Sequence, residues 1–190
     1  LIVLLFPITL YVLGQNIIQF SLYLLVFDIL TPFVVTAVVF LFQPLVILLR
    51  NNIIRKTKNK IKKLKLINCG PIVVGITGSY GKTSVKEILF HLLETNFQVL
   101  KTPESYNTPL GIAKIILTKL NSQHQIFIVE MGAYQIGDIK NICSFVNPRI
   151  GILTAIGKQH WERFGSHENI IRAKSELLLS LPKDGLAVTN

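Results

Sequence analysis

The sequence predicts an α/β domain, a parallel sheet with flanking helices, preceded by transmembrane helices. Three observations carry that expectation. Apolar runs of strand length stand at residues 72–76, 125–129 and 150–156, with stretches of helical period between them. The first 49 residues contain a single charge, Asp28. Eight basic and no acidic residues then follow between Arg50 and Lys65.

Composition narrows the class further. Half of the 190 residues are hydrophobic and only 16% are charged, which excludes a disordered chain. Cys69 and Cys143 are the only cysteines and are far apart, so neither a disulfide scaffold nor a cysteine metal site is expected. The chain opens on Leu1 rather than Met and stops at Asn190 behind the apolar run Leu186, Ala187, Val188. A fragment at both ends is the expectation.

The membrane part comes first. Residues 29–49 are 21 residues without a charge. As a helix they span about 32 Å, enough for a hydrocarbon core of about 30 Å. Residues 1–27 are also uncharged, with a polar break at Gly14, Gln15, Asn16 and Gln19. Residues 1–49 are therefore expected to form about two membrane segments with a turn near Asp28, Thr31 and Pro32. A buried helical hairpin is the competing reading, but so long an apolar run exceeds ordinary core helices. A signal peptide fits worse, because its apolar region is shorter and ends at a small-residue cleavage site. Residues 50–71 are expected to be a basic juxtamembrane linker. The positive-inside rule puts it in the cytoplasm, where it can lie on anionic lipid head groups. It has no interleaved aromatics, so a nucleic-acid partner is not expected.

Residues 72–190 carry the chemistry. The first strand runs into Thr77-Gly78-Ser79-Tyr80-Gly81-Lys82-Thr83-Ser84. A helix follows, with Val85, Ile88, Leu89, Leu92 and Leu93 on one face. Strand, glycine turn, Lys-Thr and helix make a phosphate loop. Glycines let backbone N–H groups curl around phosphate oxygens, and the helix N-terminus adds its positive dipole end. Lys82 would neutralise β/γ charge, and the Thr83 hydroxyl can ligate Mg²⁺. The general pattern wants a glycine five residues before Gly81, where Ile76 stands; Gly78 sits in a shorter loop instead. The second strand ends in Glu130, in the manner of a carboxylate that holds Mg²⁺. The third leads to His160, at the strand edge where open α/β sheets bind ligands. Residues 168–181 read as a helix whose apolar stripe, Ile170, Ile171, Leu177, Leu178 and Leu181, has Lys174 near its middle. Snorkelling explains such a lysine; so does a site in which its charge is matched or altered.

Taken in order, residues 77–84, 102–111, Glu130-Met-Gly-Ala133, Gly137-Asp138-Ile139, His160-Trp-Glu, Phe164-Gly-Ser166 and Ala173-Lys-Ser-Glu-Leu177 resemble the central ATPase domain of the Mur ligases. The D-alanyl-D-alanine-adding branch is the most similar. The resemblance covers residues 72–190. It implies ATP-dependent amide-bond formation on a muramyl-peptide cell-wall precursor through an acyl phosphate. It also implies an enzyme of peptidoglycan synthesis, here at the bacterial inner membrane with its catalytic domain in the cytoplasm. By position, the loop from Thr77 to Ser84 would bind ATP, with Lys82 catalytic. Thr83 and Glu130 would hold one Mg²⁺, and His160 and Lys174 a second. Lys174 matches the family's carbamylated lysine. Asn107 and Thr108 fall in the motif that faces the substrate and the γ-phosphate. The amine would be an amino acid or dipeptide. Membrane segments stand where the family has a soluble UDP-binding domain, so a UDP-linked and a lipid-linked acceptor both remain open. The branch usually has Leu where Trp161 stands. A fragment ending at Asn190 is expected to be inactive alone. A membrane-tethered phosphate-loop ATPase of another kind is the main alternative; it has no need of a buried Lys174.

Overall fold

The computed structural model describes residues 2–68, 70–103, 106–157 and 161–190. His160, at which a metal ligand is expected, lies outside the described residues. The chain divides into two compact units, Leu1–Leu49 and Arg50–Asn190.

Helix α1, Ile2–Asn68, begins in the first unit. The turn expected near Asp28, Thr31 and Pro32 is not there: the helix continues through Pro32. A proline in a helix removes only one bond, to the carbonyl four residues back. The neighbouring hydroxyls turn inward instead, Thr31 donating to Phe27 O and Thr36 to Pro32 O, each at 2.6 Å. From Asn16 this is the one helix among the described residues long and apolar enough to cross a membrane. Phe33, Phe40 and Leu41 are among its exposed side chains.

In the second unit the expected linker is instead a packed helix. Thr57, Ile61 and Leu64 are buried, and Ile61 and Leu64 join the main core with Ile54 against them. Lys60 Nζ donates to Leu117 O at 3.0 Å. Spacings of three and four residues put these side chains on one face, and Arg55, Lys56, Lys58, Lys62, Lys63 and Lys65 remain exposed. Burying Ile61 and Leu64 contributes on the order of 1.5–3 kcal/mol each.

The other elements are β1 (Ile72–Thr77), α2 (Lys82–Leu93), β2 (Val99–Lys101), α3 (Pro109–Thr118), β3 (Ile126–Glu130), α4 (Asp138–Val146), β4 (Ile150–Leu153), α5 (Trp161–Phe164), α6 (His167–Leu179) and β5 (Leu186–Thr189). All strand pairs are parallel, in the order β2-β3-β1-β4-β5. Successive strand residues point to opposite faces. Val73, Phe127 and Val129 face the core built by α1, α3, α4 and α6. Val74, Ile76, Ile126 and Ile128 face α2, against Val85, Leu89, Phe90 and Leu93. The stripe predicted for α2 is therefore rotated: Ile88 and Leu92 are 60% and 68% exposed, and the buried residue of the helix is Lys86. With β1 between β3 and β4, the loops leaving these three strands meet at one sheet edge.

Candidate functional site

The phosphate loop is shaped before any ligand arrives. Its glycines stand where a side chain would clash or strain the backbone. A Cβ on Gly78 would lie 1.9 Å from Thr154 Oγ1. Gly81 caps α2 at φ 80°, in the left-handed region. The Thr154 hydroxyl ties down the backbone, at 2.6 Å from Tyr80 O and 3.1 Å from Thr77 O. Ser79 N donates to Ala155 O at 2.6 Å, and Gly157 N donates to Ser79 Oγ at 2.9 Å. The buried Thr77 hydroxyl donates to Met131 O. Tyr80 pairs with Ala155 through its backbone and leaves its ring exposed. Ser84 is exposed in the first turn of α2.

Side chains from three elements converge on this loop. Thr83 Oγ1 donates to Glu130 Oε2 at 3.0 Å. Asn107 Nδ2 donates to Glu130 Oε1 at 3.4 Å, and Gly132 N donates to Asn107 O. Lys82 Nζ donates to Gly78 O at 2.9 Å. Lys174, 2% exposed, reaches the same carbonyl from α6, also at 2.9 Å. Residues Gly78 to Ser84 line a cleft of about 480 Å³ with Asn107, Glu130, Gly132, Ala133, Tyr134 and Lys174. Thr108 is not in it. Its Oγ1 accepts the Gly111 N–H and caps α3, and it borders an adjoining cleft with Arg50 and Asp138.

The electrostatics favour an anion. Burial, followed by the nearby Lys82, lowers the Lys174 pKa to about 8. Burial also lowers that of Lys82, although Glu130 pulls it the other way. The described residues contain no group of three His, Cys, Asp or Glu able to hold a metal. The donors that do meet, a threonine hydroxyl and a carboxylate, are the hard oxygens that suit Mg²⁺.

Three contributors were not anticipated. Lys86 is fully buried and donates to Glu130 Oε2 at 3.1 Å. The buried Thr102 Oγ1 accepts the Glu130 N–H at 3.0 Å. Thr154 locks the loop. Only Lys86 left a usable sign: it lies three residues after Thr83 and four after Lys82, on the helix face they share.

Comparison with known proteins agrees with this geometry. Residues 76–190 match the Mur ligase middle domain. The UDP-N-acetylmuramoyl-tripeptide–D-alanyl-D-alanine ligase of Mycobacterium leprae is 36% identical over 126 residues, 66% of this chain and 24% of that protein. The Bacillus subtilis ligase of the same name is 33% identical over 129 residues, 68% of this chain and 28% of its own. The MurF ligase of Thermotoga maritima in complex with ADP superposes with a TM-score of 0.68 at 34% identity, over 74% of this chain and 31% of its own. MurF from Acinetobacter baumannii gives 0.68 at 30% identity, over 74% of this chain and 30% of its own. The chain thus spans about a quarter of the length of the curated relatives it matches.

Proposed function

Because the chain belongs to the Mur ligase family through its middle domain, we propose that it is the ATP-binding part of a membrane-held ligase that adds D-alanyl-D-alanine to a muramyl tripeptide. The observation that carries this reading is the meeting of the phosphate loop, the Thr83–Glu130 pair and the buried Lys174 in one cleft.

In this reading the loop N–H groups and Lys82 hold the β- and γ-phosphates of ATP, as in other phosphate loops. Thr83 and Glu130 would hold one Mg²⁺; His160 and Lys174, the latter as its carbamate, would hold a second. Bound there, Mg²⁺ would neutralise charge on the transferring phosphoryl group. A lysine pKa near 8 supports carbamate formation, because the neutral amine is the form that adds CO₂. A muramyl-peptide carboxylate oxygen attacks the γ-phosphorus, the bond to the β-phosphate oxygen breaks, and ADP leaves. The D-alanyl-D-alanine amine then attacks the acyl carbon, loses a proton and expels phosphate. Asn107 sits beside Glu130, where it would orient the γ-phosphate or the substrate. Thr108 would do so from the neighbouring cleft.

Residues 29–49 would be the span and Arg50 the first cytoplasmic residue. The exposed basic side chains between Arg55 and Lys65 would meet anionic head groups. In the full-length protein, ADP release should require the muramyl tripeptide and D-alanyl-D-alanine together. ATP hydrolysis indifferent to both would sink the reading. Should a lipid-linked tripeptide support turnover and the UDP-linked one fail, the acceptor assignment moves to the lipid form.

A further inference from the structure

The buried ammonium of Lys86 has no part in the mechanism above. It is 0% exposed, and its nearest acid is Glu130, whose Oε2 lies 3.1 Å away. A second carboxylate, Glu87 Oε1, lies at 3.8 Å, but Glu87 is itself paired with Lys101 of β2. Glu130 Oε2 therefore carries two donors, Lys86 Nζ and Thr83 Oγ1. Among the described residues, Oε1 has a single long contact, from Asn107 at 3.4 Å. Lys82 and Lys174 share the Gly78 carbonyl nearby. Among the described residues, this carboxylate thus stands with the ammonium groups of Lys86, in direct contact, and of Lys82.

We infer that Lys86 is the resident counter-cation of Glu130, a positioning residue that holds this carboxylate without a metal and keeps the cleft from taking a divalent cation on its own. Like charges a few ångströms apart in a poorly solvated site repel strongly. A bare divalent cation at Glu130 meets that repulsion with one carboxylate to offset it. A nucleotide brings several negative charges and reverses the sign of the site. Metal and nucleotide therefore enter as a pair. Lysine suits the role because its ammonium is a compact charge on a flexible stem that reaches Glu130 from one turn below Thr83. The inference rests on the proposed role of Glu130 as a metal ligand.

The test uses the full-length protein and Mn²⁺ as the probe, read by electron paramagnetic resonance with and without ATP. Replacing Lys86 by Gln keeps an N–H for Glu130 and removes the charge. Lys86→Gln should bind Mn²⁺ without nucleotide at least about tenfold tighter than wild type. Lys86→Arg should behave as wild type, and adding Glu130→Gln to Lys86→Gln should abolish the gain. A thermal melt establishes folding; should Lys86→Gln fail to fold, wild type decides, because the role of Lys86 requires it to bind Mn²⁺ far more weakly without ATP than with it, and equal affinity overturns that role. Nucleotide-free Mn²⁺ affinity equal to or weaker than wild type, with Mn²⁺·ATP still bound, overturns the role of Lys86 alone. A wild type that binds no Mn²⁺·ATP overturns the reading of the site itself.

Discussion

The α2 wall and the α6 wall of the cleft each bury a lysine, and they treat it in opposite ways. On α2, Lys86 meets the carboxylate of Glu130 at 3.1 Å. On α6, Lys174 meets a backbone carbonyl and faces the ammonium of Lys82; the described residues give it no acid. A buried charge with its partner is a fixed part of the architecture, and removing one member leaves the other stranded. A buried lysine without an acid sits in a place that favours its neutral form. The same residue type, a few ångströms from the same loop, is an anchored cation on one wall and an amine ready to change its charge on the other.

The widest separation of the two should appear in catalysis. Lys174→Ala is expected to lower ligation by on the order of a thousandfold, the scale of losing one preorganised charge at the phosphoryl group. Added short carboxylates should restore part of the rate in that variant and none in Lys86→Met. Equal rescue of both variants would erase the distinction. Stability should show the reverse order. Lys86→Met strands Glu130 and should cost about 3–5 kcal/mol in denaturant unfolding, whereas Lys174→Met should be neutral or stabilising. A larger loss at Lys174 than at Lys86 contradicts the account.

A smaller difference follows from pH. The folded pKa of Lys174 is lowered from 10.5 to about 8. Between those values the unfolded chain holds a proton that the folded chain lacks, so stability gains a contribution that rises with pH across the window. In CO₂-free buffer, Lys174→Met should remove that rise and Lys86→Met should keep it. The smallest effect belongs to Glu87, the more distant acid beside Lys86, whose side chain is 38% exposed. Glu87→Gln should change stability by less than about 1 kcal/mol. A larger change would make Glu87, rather than Glu130, the main partner of Lys86.

The same contrast explains what could be read from the chain in advance. Backbone-driven features were legible: strand, glycine turn and helix follow from residue type and order, and Glu130 follows from the end of a hydrophobic strand. Lys174 was legible because a charge on an apolar stripe stands out against its neighbours. Lys86 was not, because it sits next to Glu87 on a helix whose apolar residues suggested another face; the sheet accepted Phe90 and left Ile88 and Leu92 in the open. The packing of the segment from Arg50 to Lys65 is obscured for a related reason. Its eight basic residues mask the pattern of Ile54, Thr57, Ile61 and Leu64, whose spacing seats the helix on the core. Strands β2 and β5 have three and four residues and gain their pairing from neighbours far along the chain, which no local pattern reveals.

The central claim is that this cleft transfers a phosphoryl group to a carboxylate. It is tested most directly by isotope transfer in the full-length protein, with a muramyl tripeptide labelled with ¹⁸O in its acceptor carboxylate. The account predicts that each turnover with ATP and D-alanyl-D-alanine moves one labelled oxygen into the released phosphate. Phosphate released without label would contradict it, because the carboxylate would then never have been phosphorylated.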